Sequence, residues 1–542
     1  MKKIILSLLV AGSLVSCSDN KFEDINSPVK NPTEVPGYTL FTNGAREMFD
    51  MMVNTSVNEN PFRLYSQYWA QTTYPEESQY QMVPRQIPDS YWRNGYVYVL
   101  NNLVEAKRVT EPLLEDINVD SEEVTNQLAI IDICIAYTYL SLVDAFGDVP
   151  YTDALNIEIL TPKYDDASSV YDAMVEVLDN SIASIVDGSA GFSDIQDPIY
   201  HGNVTAWKTF AYTLKFKVGV MLLDSDPSKA EALINASKDH IFTSNADNAS
   251  IEYASTSPST NPVWEALVQS GRKDYIVANT VVNKLNDLND PRLFVFAKDP
   301  IDFPYQTKEN GAGETIKLDS TFSADDVIGK VLIYTAEDGS DSVVYKTAPF
   351  TVTVAEEKKG VRLIEGGTYG TANSYGSFSH IGNAFYEPDL PGVILSYSEI
   401  EFFKAELAER GVAGYNSADA EMYYNNGIKA SMAEWGITDA TVIDSYLADP
   451  NVAYATAEGN WKQKIGSQLW LALYNRGFEG WTTWRRLDFE GFVAPPGLEL
   501  SDIPTRFIYP IQEGTLNGSN KTSASSAIGG DEKTTKLFWD KN

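Results

Sequence analysis

The chain has 542 residues, with 75 Asp and Glu against 41 Lys and Arg and a formal charge of −34 at pH 7. A phosphate backbone needs a basic face, so this balance argues against nucleic acid as a partner. Only two cysteines occur, Cys17 and Cys134. No disulfide framework is available, and stability must come from a large core, for which the length is ample.

The N-terminus reads MKKIILSLLVAGSLVSCSDN. Lys2 and Lys3 precede an apolar run from Ile4 to Val15, the layout of a secretory signal peptide. The run falls short of the roughly 20 residues that span a bilayer. Leu14-Val15-Ser16-Cys17 resembles the lipobox at which bacterial lipoprotein precursors are cut, which makes 1–16 a signal peptide and Cys17 the lipidated first residue. Two or more acyl chains then hold a soluble body stably at a membrane. Residues 17–37, polar and carrying Pro28, Pro32 and Pro36, read as a tether, and 38–542 as one folded domain.

Helical periodicity dominates that domain. Ile130, Ile133, Tyr137, Leu140 and Val143 recur at spacings of three and four, predicting a helix that buries Cys134 and stops at Gly147 and Pro150. A second helix is predicted from a Ser168-Ser169 cap through Val170, Met174, Val177, Leu178, Ile182 and Ile185. A third follows an Asn203 cap, with Trp207, Phe210, Leu214, Val218 and Met221 on its buried stripe. Within 300–361, KVLIYTAEDGSDSVVYK places β-branched residues about an Asp-Gly turn and predicts a small antiparallel sheet inserted in a helical body. In SYSEIEFFKAELAERG, Ile400, Phe403 and Leu407 mark the apolar side, Glu399, Glu401 and Glu406 a polar one, and Gly411 the stop. Helices near 418–435 and from Trp461 to a stop at Gly477 complete a set of pairs stacked in the tetratricopeptide manner. The irregular stretches 245–272 and 363–392, rich in Ser, Gly, Asn and aromatics, have the length of functional loops.

Several stretches carry a resemblance. SLVDAFGDVPYTDAL (141–155), Asn289-Asp290-Pro291-Arg292-Leu293, PGVILSYSEIEFFKAELAERG, WTTWRRLDF (481–489) and RFIYP (506–510) are similar, in this order, to segments of the SusD/RagB family of surface nutrient-binding lipoproteins. The resemblance implies a mostly α fold, SusD-like, with tetratricopeptide-like helix pairs, long ligand-facing loops and a small β insertion. It also implies a role in capturing a nutrient for a SusC-like TonB-dependent outer-membrane transporter. Read physically, the motif residues are structural. Gly147 permits a turn that Pro150 fixes, and Asp290, Arg292, Arg485 and Arg486 serve better as helix anchors or exposed charges than as grips on a ligand.

Catalytic chemistry finds little support. His201, His240 and His380 stand far apart without metal-ligand neighbours, and no nucleophile elbow, phosphate loop or dinucleotide fingerprint occurs. The expectation is therefore no catalytic residue, no metal and no cofactor. What the sequence offers is aromatics: 31 Tyr, 23 Phe and 10 Trp. Sugar rings stack on aromatic faces while their hydroxyls seek amides and carboxylates. The loop candidates are Trp69, Tyr74 and Tyr80 in YWAQTTYPEESQYQ, and Trp264 and Tyr275 about the Gly271-Arg272-Lys273 turn. Tyr369, Tyr375, Phe378 and Tyr386 line GGTYGTANSYGSFSHIGNAFY, with Asn373 and His380 as hydrogen-bond partners; loop packing is the alternative for each. The resulting expectation is a non-catalytic, lipid-anchored outer-membrane protein that binds an oligosaccharide or a peptide. A glycan hydrolase and a ligand-free protein scaffold are its rivals.

Overall fold

The computed structural model describes residues 35–302, 307–309, 315–317, 331–335, 341–345 and 361–541. The expected signal peptide, Cys17 and the expected tether up to residue 34 lie outside the described residues. Helices follow in pairs: α1 Gly37–Val53, α2 Asn101–Thr110, α3 Ser121–Phe146, α4 Ala167–Ser184, α5 Val204–Met221, α6 Pro227–Ser237, α7 Tyr397–Arg410, α8 Ala420–Glu434, α9 Trp461–Ala472 and α10 Gly477–Leu487. Each odd-numbered helix packs on the even-numbered one that follows it, giving the expected helix-pair architecture.

Local chemistry explains the boundaries. The Asn203 side chain accepts from the Ala206 N–H and Gly411 turns with φ of +65°, both as expected. α4 is capped instead by Asp166, whose carboxylate accepts from the Ser169 N–H, so the helix begins ahead of the predicted serine pair. Gly477 opens α10 where it was expected to close α9. A Cβ there would sit 2.4 Å from the Arg63 nitrogen, so only glycine permits this approach. α3 is long and apolar enough to cross a membrane, but its most apolar window is 89% buried inside the protein. It is the central core helix, and Cys134 within it is fully buried.

α7 corrects a second expectation. Glu399, Glu401 and Glu406 are buried, at 1%, 2% and 0% exposure, and do not form a solvated face. Lys217 lies 3.1 Å and Arg476 2.6 Å from Glu399, Lys404 2.7 Å from Glu401, and Arg486 2.6 Å from Glu406. A buried carboxylate is tolerated only with such partners, and here three of the four come from outside α7.

The motif stretches lock the two ends of the chain together. The Phe507 N–H donates to the Ala145 carbonyl (2.7 Å), Arg506 Nε to the Phe146 carbonyl (3.0 Å) and Arg485 Nη1 to the Asp144 carbonyl (2.7 Å). Asp290 and Arg292 form a 2.6 Å ion pair with no exposed surface on either side chain. The insertion is a four-stranded sheet in the order 301–302, 361–363, 331–335, 341–345, with the last pair antiparallel as predicted. Three two-stranded pieces fasten the loops to the helices: 69–71 with 275–277, 297–298 with 380–381, and 249–251 with 392–395.

Candidate functional site

Burial sorts the predicted site residues. Trp69, Tyr80, Tyr275 and Tyr369 are 0%, 3%, 5% and 2% exposed, and so are not the loop aromatics the sequence led us to expect. Pairing of 69–71 with 275–277 carries Trp69 and Tyr275 inward, where the Trp69 indole N–H donates to the Tyr474 hydroxyl (3.2 Å) and Arg63 lies over the indole. The Tyr369 hydroxyl donates to the Leu64 carbonyl (2.7 Å) and neighbours that of Tyr80, whose phenol is pushed up to about 12 by burial. Asn373 is also buried. Its Nδ2 donates to the carbonyls of Gln71 and Thr368 (both 3.0 Å) and its Oδ1 accepts from the Thr368 N–H (2.9 Å). The amide thereby fastens the 368–373 loop to the strand at 69–71.

Of the remaining candidates, Tyr74, Tyr375, His380 and Tyr386 gather on one face. Tyr74 is 62% exposed and lines a cleft of about 330 Å³ with Gln71, Thr73, Arg85, Arg272 and Asp274. The adjoining turn is held by the Thr72 N–H donating to the Asp274 carbonyl (2.9 Å) and the Thr72 hydroxyl donating to the Lys273 carbonyl (2.5 Å). From this turn Lys273 reaches over Tyr375, 5.0 Å from the ring centroid. Tyr375 stacks on His380 at 3.9 Å and 18°. His380 Nδ1 bonds Asp299 Oδ2 (2.7 Å) and Nε2 bonds the Tyr375 carbonyl (2.9 Å). Pairing of His380 with Lys298 sets the Lys298 ammonium 3.2 Å above the ring of Tyr386. Burial raises the Tyr386 phenol, and burial also pushes the Lys298 ammonium down. Trp264 is half-buried on the turn Pro262–Trp264, which packs against the turn at 383–386, and Phe378 is half-buried against the core.

Lys298 and Asp299 were not visible as site residues in the sequence, because they join the face only once 297–298 pairs with 380–381. Lys273 was marked by its glycine turn, though not as a cation over Tyr375. Among the described residues, no group of three or more His, Cys, Asp or Glu is placed to hold a metal ion. The face offers ammonium, guanidinium, carboxylate, hydroxyl and aromatic groups to a polar, extended ligand.

Similar proteins share the whole architecture. A SusD-like family model, described as starch-binding associating with outer membrane, matches residues 29–510. A solved chitin-binding protein is similar at TM-score 0.70 and 22% identity, covering 93% of this chain and 100% of its own. A chitin-binding SusD homolog from Flavobacterium johnsoniae is similar at TM-score 0.68 and 20% identity, covering 92% and 98%. A SusD homolog from Bacteroides fragilis is similar at TM-score 0.67 and 20% identity, covering 94% and 100%. No curated protein matches the sequence. With the model spanning nearly the whole helical body and the motif stretches buried at its centre, the chain belongs to the SusD-like family of starch-binding, outer-membrane-associated proteins.

Proposed function

We propose that this protein is a cell-surface lipoprotein that binds an oligomeric glycan at the face built by 72–74, 271–275, 298–299 and 375–386, and delivers it to a TonB-dependent outer-membrane transporter. The observation that carries this reading is the convergence there of segments some 300 residues apart in sequence, while the motif residues shared with the family lie in the core. An exposed tyrosine beside hydrogen-bonding and charged groups is the chemistry a saccharide needs. Two similar structures are described as chitin-binding, which favours a glycan over a peptide. The lipobox supplies the membrane attachment, and delivery to a SusC-like partner follows from the family role.

Calorimetry and affinity electrophoresis against a panel of polysaccharides and peptides test the ligand class. Heat and retardation with a glycan, and intact oligosaccharide after prolonged incubation, are expected. Binding of peptides alone would replace the glycan by a peptide, and shortened products would make the protein a hydrolase. Transporter delivery predicts that a TonB-dependent receptor co-purifies from detergent-solubilised membranes; its absence after cross-linking in whole cells would remove that half of the proposal.

A further inference from the structure

The candidate face balances its charges where the rest of the molecule is acidic, with Glu76, Glu77, Asp274 and Asp299 standing beside its cations. Four cations, Arg85, Arg272, Lys273 and Lys298, meet on it in a chain of net charge −34. Arg85 is paired with Glu77 and Arg272 with Asp274. The ammonium groups of Lys273 and Lys298 have no hydrogen bond or ion pair among the described residues; each is placed over a tyrosine ring. Asp299, the carboxylate beside Lys298 in sequence, is engaged by His380 at 2.7 Å.

This arrangement changes what the tyrosines present. A neutral sugar stacks on a bare aromatic face. The ring of Tyr375 is already covered by the His380 imidazole and Lys273, and Lys298 sits 3.2 Å from the Tyr386 centroid. Each ring thus lies beneath one lysine head. A lysine held on an aromatic face has already lost much of its rotamer freedom, which reduces the ordering cost when an anion arrives.

We infer that the glycan this face captures is anionic, bearing carboxylate or sulfate groups that Lys273 and Lys298 bind while Tyr74 stacks on an adjacent ring. The inference rests on the glycan reading above and narrows it.

Calorimetry with the mature protein and three oligosaccharide sets provides the test: neutral chitooligosaccharides and maltooligosaccharides, uronate oligomers, and sulfated galactans. The expected result is binding of the uronate or the sulfated set, whichever carries the matching anion. That affinity should weaken steeply between about 50 and about 500 mM NaCl, and fall about tenfold or more in Lys273→Gln/Lys298→Gln. Lys298→Arg should restore most of the loss in the single Lys298→Gln variant, because a guanidinium keeps both the charge and the ring contact. Neutral glycans binding equally well to wild type and double variant would overturn the inference and leave glycan capture standing. Acidic glycans binding without dependence on salt or on either lysine would also overturn it. Binding of no glycan of any set would remove the glycan reading and this inference with it. Lys273 is exposed, so the single Lys273→Gln variant reads the effect without burdening the fold.

Discussion

The buried Asp290–Arg292 pair is the sharpest test of whether the family's motif residues build the core or grip a ligand. Asp290 Oδ2 accepts from Arg292 Nη2 at 2.6 Å and from the Tyr446 hydroxyl at 2.6 Å, while Oδ1 accepts from Arg292 Nε at 3.0 Å and from its backbone N–H at 2.9 Å. The guanidinium also donates to Ser431 Oγ (3.0 Å) and Gln468 Oε1 (2.9 Å), joining the segment after residue 289 to α8 and α9. In Asp290→Ala, a cation with no access to water loses its counter-charge, and the Tyr446 hydroxyl and the Arg292 backbone N–H lose their acceptor. Removing one partner of such a pair costs about 3–5 kcal/mol. Replacing both by apolar residues of similar size, as in Asp290→Leu/Arg292→Met, removes the stranded charge and should cost clearly less than either single substitution. Urea unfolding followed by tryptophan fluorescence measures all three variants, with glycan calorimetry on the folded proteins alongside. The structural reading requires a large loss in each single variant, partial recovery in the double and unchanged ligand affinity. It fails if Asp290→Ala loses less than about 1 kcal/mol, or if folded Arg292→Met loses its ligand.

Other outcomes follow from the same geometry. Tyr74→Ala should lower glycan affinity about three- to tenfold with no change in the unfolding midpoint, as loss of one exposed stacking contact; Trp69→Ala, five residues earlier, should cost about 3–5 kcal/mol of stability. Asp148 accepts from the Ala167 N–H (2.9 Å), and burial raises its carboxyl from 3.8 to about 6. The folded state thus holds this proton more tightly than the unfolded chain between those values, and stability falls as pH rises through the window. A shift of this size corresponds to at most about 3 kcal/mol. Asp148→Asn keeps an acceptor for Ala167 and removes the charge, so its unfolding midpoint should pull ahead of wild type from pH 4 to pH 6.5; parallel curves would refute this account. Cys17→Ala should move the protein from the membrane to the soluble fraction and leave purified binding unchanged, whereas retention in the membrane would mean that another segment anchors it.

How much of this was legible in the sequence depended on whether a residue's partners were near it in the chain. The stripe Ile130, Ile133, Tyr137, Leu140 and Val143 is a property of one helix, and all five residues are buried as their spacing required. The Asn203 cap is likewise local. Glu399 and Glu406 misled, because the lysine and arginines that neutralise them lie at 217, 476 and 486, and a lone helix gives no sign that its polar side will meet them. Trp69 and Tyr74 share one polar stretch, yet one is fully buried and the other 62% exposed. The difference is set by strand pairing with 275–277, some 200 residues away. The site was least legible for the same reason: Lys298 and Tyr386 form a unit only through the register that sets Lys298 opposite His380.

The division of labour between buried and exposed residues also bears on how such a fold can change its ligand. Asn373, Tyr369 and Tyr275 hold the loops by hydrogen bonds to the carbonyls of Gln71, Leu64 and Thr55, contacts independent of whatever occupies the face. Lys273 and Tyr74 project from those loops with few protein contacts, so replacing them alters recognition at little cost to folding. Relatives at TM-scores of 0.70 and 0.68 with 22% and 20% identity keep this fold across a large change of sequence. Exchanging the exposed Lys273 for a neutral residue should change which glycan is held and leave the unfolding midpoint where it was. Asn373→Ala should do the reverse in kind, weakening every ligand together, because it releases the 368–373 loop from the strand beneath it.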